Sequence, residues 1–154
     1  MLKSTDLEKF QTADGSWTLK NKEKDVFYRS SYGAQQESEH VFIHNGLHYV
    51  SKKRKISILE IGFGMGIAAG YIQQHTINSH TIIENHPDII PKAQAWASDK
   101  SNVTIVEGDW YSVKDTLSTY DGLFLDTWGD QHMDEFSSSL SPLMKVGGKA
   151  TWWN

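Results

Sequence analysis

Gly62, Gly64 and Gly66 stand at alternate positions directly after the apolar run Ile58-Leu59-Glu60-Ile61, with Phe63, Met65 and Ile67 between and beyond them. A helix-like segment, Ala68 to Gln74, follows at once. A buried strand that breaks into such a turn and then opens a helix gathers bare backbone N–H groups at one point. Glycine has no Cβ to collide with a ligand held close to backbone, and the first N–H groups of a helix lack intrahelical partners. The chemistry this arrangement serves is the cradling of a nucleoside cofactor at the carboxyl end of a first parallel strand. A P-loop is excluded, because no Gly-Lys-Ser/Thr follows the turn. A second run, Thr81-Ile82-Ile83-Glu84, ends in an acid where a ribose-gripping carboxylate is expected.

Ligands of an open α/β sheet bind beyond the carboxyl ends of its strands, so the residues there form one candidate set. The first strand contributes Glu60 and the turn Gly62, Phe63, Gly64, Met65 and Gly66; the second contributes Glu84 and Asn85. A third ends in Glu107-Gly108-Asp109-Trp110, a carboxylate beside an indole. That pair suits an adenine, whose exocyclic amine needs an acceptor and whose ring gains from a flat apolar wall. A fourth, Gly122-Leu123-Phe124-Leu125, ends in Asp126-Thr127-Trp128-Gly129-Asp130 and brings Asp126 to mid-crevice as the foremost catalytic candidate. The glycine spacing alone leaves a dinucleotide oxidoreductase open, since Gly66, Ala69 and Gly70 meet Gly-x-Gly-x-x-Gly only in a relaxed form. Asp109-Trp110 and Asp126 favour S-adenosylmethionine, whose adenine, ribose and amino-acid parts need separate polar grips. His40, His44 and His48 recur at helical spacing, but Asn45-Gly46 interrupts the helix and no fourth ligand is placed to join them. No metal site is expected.

The elements that must position these groups alternate from Ile56 onward. Strands at 56–61, 80–84, 103–107, 121–126 and 149–153 are interleaved with helices at 66–74, 87–98, around 111–118 and at 132–144. Such alternation predicts an α/β fold, a mainly parallel sheet with helices on both faces. Residues 1–50 read differently: a turn at Asp14-Gly15-Ser16 between short strands, then a helix from Ala34 to His44. We take 1–50 as an N-terminal substrate cap and 51–154 as the cofactor-binding Rossmann-like domain, together one compact unit. The 154 residues hold one core but not two large ones. A net charge of -4 offers no general attraction to phosphate backbones, and the absence of cysteine removes disulfides and thiolate metal sites. Lys52-Lys53-Arg54-Lys55 lies before the first strand, at the far end of the sheet from the turn, and reads as a solvated linker. Without a leader-like segment or a bilayer-length apolar run, a cytoplasmic protein with no membrane partner is expected.

From Ile58 to Asn154 the chain resembles the guanidinoacetate N-methyltransferase group, which includes the protein arginine δ-N-methyltransferases. The resemblance is carried by Leu59-Glu60-Ile61-Gly62-Phe63-Gly64-Met65, Ile82-Ile83-Glu84-Asn85, Trp96-Ala97, Gly108-x-Trp110, Tyr120-Asp121-Gly122, Leu125-Asp126-Thr127, Gly147-Gly148 and Thr151-x-x-Asn154. It implies a class I methyltransferase that binds S-adenosylmethionine through the residues named above and methylates the nitrogen of a small guanidino or amino compound. It further implies that Asp126 orients the acceptor and receives its proton, with Glu37 as a second carboxylate clamp. The N-terminal third, Thr12-Ala13-Asp14-Gly15-Ser16 and Ser31 to Ile43, is similar to methyltransferases that finish 5-aminomethyl groups on tRNA wobble uridines. Those continue with Asp-x-Phe-x-Pro where this chain has Asp126-Thr127-Trp128-Gly129, so a tRNA substrate is the alternative. A third reading is a truncated S-adenosylmethionine-binding module, either a non-catalytic partner subunit or one that cleaves its cofactor. Class I enzymes normally add a helix and a hairpin after the fifth strand. A sheet ending at that strand would expose an edge, and homodimerisation over it is expected.

Overall fold

Alternating apolar and polar residues on either side of Asp14-Gly15 pair as a hairpin: β1 (Leu7–Gln11) and β2 (Trp17–Asn21) are antiparallel, and β3 (Val26–Phe27) adds a short third strand. The computed structural model describes residues 7–23, 25–28, 33–47, 56–126 and 139–152. The hairpin turn does more than reverse the chain. Helix α1 (Ala34–Ser38) has no side-chain cap from its own N-cap residue; instead Gln35 donates its backbone N–H to Ser16 Oγ at 3.3 Å. The Asp14 carboxylate accepts from Thr12 and Ser16. These bonds hold its carboxyl down at about 2, the Ser16 and Thr12 hydroxyls contributing most.

The helix expected from Ala34 to His44 continues instead as a π-helical stretch, Glu39–Leu47, running through Asn45-Gly46. Gly46 faces the sheet, where a Cβ would stand 2.7 Å from the Phe124 ring. Packing against that ring carries the helix past a pair that ordinarily stops one.

Five parallel strands follow: β4 (Ser57–Ile61), β5 (Ser79–Glu84), β6 (Val103–Glu107), β7 (Tyr120–Leu125) and β8 (Met144–Trp152), in the order β6-β5-β4-β7-β8. Three helices are interleaved with them, α2 (Ile67–Gln73), α3 (Ile90–Ala97) and the one-turn α4 (Trp110–Val113). Helices cover both faces, which is why central strands such as β7 are buried at every position. On one face Ile58 and Phe124 pack with Val41, Phe42, Leu47, Ala68 and Ile72, while Ile82 packs with Ala69, Ile89 and Ala93. On the other, Leu59, Ile61, Ile83, Leu123 and Leu125 meet Trp110, Val113 and Leu140.

β8 departs from expectation at its start. Met144 already pairs with Tyr120, and regular pairing resumes only at Gly122–Lys149 after an irregularity. Within that bulge Val146 is fully exposed, and Lys145 reaches back toward Asp121 (3.6 Å) and Ser57 Oγ (3.4 Å). Buried Asp121 also accepts the Ser57 N–H at 2.9 Å, pinning the amino ends of β4 and β7. The expected helix 132–144 lies largely outside the described residues, but its end is corrected: Ser141–Leu143 is a 3-10 turn and Met144 is already strand. The basic run 52–55, His48 and the Thr127–Asp130 loop also lie outside them. Among the described residues no helix is long and apolar enough to cross a membrane.

Candidate active site

Strand register brings the candidate residues to one rim. Ile61 pairs with both Ile83 and Leu125, and Glu84 pairs with Glu107, so the glycine turn, Glu84–His86, Gly108–Asp109 and Asp126 all leave the sheet at the same edge. Two of the glycines are irreplaceable for different reasons. Gly62 has φ +90°, and a Cβ there would sit 2.2 Å from the Asp126 carbonyl oxygen. Gly62 and Asp126 in turn donate backbone N–H groups to Ile83 and Ile61, each at 2.8 Å. Gly64 has φ +54°, and its Cβ would meet the ring of Tyr28 at 3.1 Å. Gly66 precedes α2 as its N-cap.

Glu84 is buried, and its carboxylate is turned onto its own chain. Oε2 accepts the N–H groups of Phe63 (2.8 Å) and Gly64 (3.3 Å), and Oε1 accepts those of Asn85 and His86 (2.9 Å each). Sequence reading assigned this group to a ribose; here it clamps the glycine turn, and the exposed Asn85 stands beside it. Glu60 is likewise turned inward: fully buried, it meets His80 Nε2 at 2.8 Å on the neighbouring strand. The Gln73 amide lies 3.1 Å from His80 Nδ1. An amide nitrogen only donates, so the His80 proton sits on Nε2 and is given to Glu60. Glu60 therefore joins β4 to β5 beneath α2.

The Asp109-Trp110 pair is split. Asp109 is exposed and caps α4 by accepting the Ser112 N–H at 3.1 Å. Trp110 is buried among Leu59, Ile61 and Leu123 and gives its indole N–H to Ser139 Oγ at 3.2 Å. Its ring serves the core in place of the expected adenine wall. Gly108 donates to the Glu84 carbonyl at 3.0 Å, tying β6 to the same rim.

A small open cleft lies at the turn, lined by Tyr28, Phe63, Gly64, Met65, Ile67 and Asp126. It brings Asp126 beside Phe63, Gly64 and Met65 of the glycine turn. Glu37 lies half-buried on α1 and is not among the lining residues. Two groups at the rim escaped sequence reasoning. Tyr28 comes from the N-terminal meander, and no periodicity links it to Gly64; burial, then the charges of Glu84, Asp126 and Asp88, push its phenol far up, so it stays protonated. His86 follows Glu84 and Asn85 at the end of β5, where the same strand-end rule applies. The Asp88 N–H donates to its Nδ1 at 3.1 Å, which leaves the ring proton on Nε2. That atom is buried and has no hydrogen-bond partner among the described residues.

Comparisons with known proteins agree with this geometry. The family model for guanidinoacetate N-methyltransferase matches residues 20–151. Protein arginine N-methyltransferase 2 of Kluyveromyces lactis is 35% identical over 106 residues, covering 63% of this chain and 26% of that protein. Its namesake in Saccharomyces cerevisiae is 39% identical over 110 residues, covering 64% and 26%. The chain thus spans about a quarter of the length of these curated relatives. Among solved structures, MnmC2 from Aquifex aeolicus superposes with a TM-score of 0.76 at 20% identity, covering 94% of this chain and 58% of the other. That likeness establishes the Rossmann-like fold.

Proposed function

Because the chain belongs to the guanidinoacetate N-methyltransferase family, we propose that it transfers a methyl group from S-adenosylmethionine to a guanidino nitrogen. The observation that carries this reading is the junction of cradle and acid: Asp126 and the Gly62–Gly66 turn share one cleft, and only a glycine at 62 lets them meet. The residues fit the cofactor. The glycines let Asp126, Tyr28 and Phe63 close tightly on the turn, and the buried, unpartnered Nε2–H of His86 is a donor that a ribose or purine acceptor would satisfy. Gly62, Phe63, Gly64, Met65 and Gly66 would hold the amino-acid end, and Asn85, Gly108 and Asp109 the nucleoside. Glu60 and Glu84 support them from within.

When bound, S-adenosylmethionine supplies a methyl group already activated on a sulfonium. The protein's own task is alignment and a proton. A guanidinium has no free lone pair, so the acceptor must lose a proton as it reacts. A carboxylate at Asp126 orients the cation by paired hydrogen bonds and takes that proton. Glu37, on a helix that packs against α2, serves as the second clamp. The names of the relatives point to arginine in a protein, and the family name to a small guanidino compound; both present the same planar cation.

The test is transfer of labelled methyl from S-adenosylmethionine to guanidinoacetate, an arginine-rich peptide and bulk tRNA. Label in either guanidino acceptor, abolished by Asp126→Asn, is expected. Label only in tRNA would replace this reading with the RNA one, which the net charge of -4 disfavours. Cofactor binding without label anywhere would leave a binding module.

A further inference from the structure

Tyr28 is the one described residue of the N-terminal meander that lines the cleft. Its position is built rather than incidental. The Tyr28 N–H donates to the Leu19 carbonyl at 2.7 Å, tacking the residue to β2. Its ring lies against Gly64, where any side chain would press on it. Asp126 lines the same cleft, and Glu84 and Asp88 are near enough to act electrostatically on the phenol. The cleft thus combines an aromatic ring with surrounding negative charge, and the remaining lining, Phe63, Met65 and Ile67, is uncharged. An aromatic face attracts a cation, and a carboxylate nearby adds to that attraction in a partly desolvated space. Neither feature helps an uncharged ligand.

We propose that Tyr28 is a specificity-determining residue: its ring, lying on Gly64 and lining one cleft with Asp126, selects ligands with a positive centre at the transfer point. The inference rests on the methyltransferase reading and deepens it. A methyl donor is cationic before transfer, as a sulfonium, and uncharged after it, as a thioether. A wall that favours the cation therefore holds the donor and releases the spent product. The phenol, kept protonated, contributes no charge of its own.

The test is calorimetric binding of three probes: S-adenosylmethionine, sinefungin (an ammonium in place of the sulfonium) and S-adenosylhomocysteine, the uncharged thioether. The native protein is expected to bind both cationic probes about tenfold more tightly than the thioether. Tyr28→Leu should bring that ratio to within about threefold of unity, and Tyr28→Phe, which keeps the ring and its packing, should retain it. An unchanged ratio in Tyr28→Leu overturns the proposal. So does an equal loss for all three probes, which would mark a packing role, and so does a Phe variant that loses the ratio as fully as Leu. A native protein that binds none of the three, while folded, would instead sink the methyltransferase reading on which the inference stands.

Discussion

Glu84 shows how one side chain organises the site without touching solvent. Its two oxygens accept four backbone N–H groups, from Phe63, Gly64, Asn85 and His86. Hydrogen bonds to a charged acceptor contribute about 1.5–3 kcal/mol each. Glu84→Gln would set an NH2 group against donors on one side. A loss of about 3 kcal/mol is expected, read as a fall in Tm of roughly 6–12 °C for a chain of this size. An unchanged Tm would mean the turn holds itself. The glycines permit a sharper contrast. Gly62→Ala combines a left-handed φ with a Cβ 2.2 Å from backbone, so a loss above about 4 kcal/mol is expected. Gly70, inside α2, has nothing within 4 Å of its would-be Cβ and no left-handed φ. Gly70→Ala should stabilise by about 0.5–1 kcal/mol, read with Gly62→Ala in a urea titration.

Elements that obey a simple period were legible in the sequence, and elements that depend on distant partners were not. The four strands through β7 fall where their apolar runs lie, because a run buried on both faces needs no knowledge of its neighbours. Asp126 was legible for the same reason: a polar residue ending such a run stands at the ligand rim. The inward turns of Glu60, Glu84 and Trp110 were not, since each depends on a partner elsewhere: His80, the glycine turn and Ser139. Nor was the π-helical stretch, which continues only because Phe124 receives Gly46. The hairpin turn holds a further dependence of this kind, and it makes α1 sensitive to acid. Asp14 has its pKa lowered from 3.8 to about 2 by the Ser16 and Thr12 bonds of the turn, and the Ser16 Oγ it holds accepts the Gln35 N–H at the start of α1. A pKa lower in the folded state means stabilisation that is complete above pH 4 and is lost as pH falls through about 2. Asp14→Asn should therefore be less stable than the native chain at neutral pH. The gap between the two should close as pH drops from 4 to 2. A gap that stays constant with pH would show that the carboxylate charge is not what holds the turn beneath the helix.

Across the whole molecule, Phe124 decides whether cap and sheet unfold together. It is fully buried on β7, 5.9 Å from the ring of Phe42, in a cluster that takes Val41, Phe42, Ile43 and Leu47 from the N-terminal third. The same cluster takes Ile56 and Ile58 from the first parallel strand and its approach, and Ala68 and Ile72 from α2. A core shared in this way leaves neither side a separate apolar interior along this seam. Phe124→Ala removes the ring from the centre of that seam, at a cost of about 3–5 kcal/mol, a large share of the 5–15 kcal/mol typical of a domain. Because the seam belongs to both parts, protection of the Val41–Leu47 and Ser57–Ile61 amides in hydrogen exchange should fall together and by the same factor. The urea transition should stay single. Loss of protection confined to 41–47, with the β4 amides unaffected, would mean that the N-terminal third docks on a sheet already stable by itself. The cleft wall supplied by Tyr28 would then be free to leave the glycine turn without unfolding it.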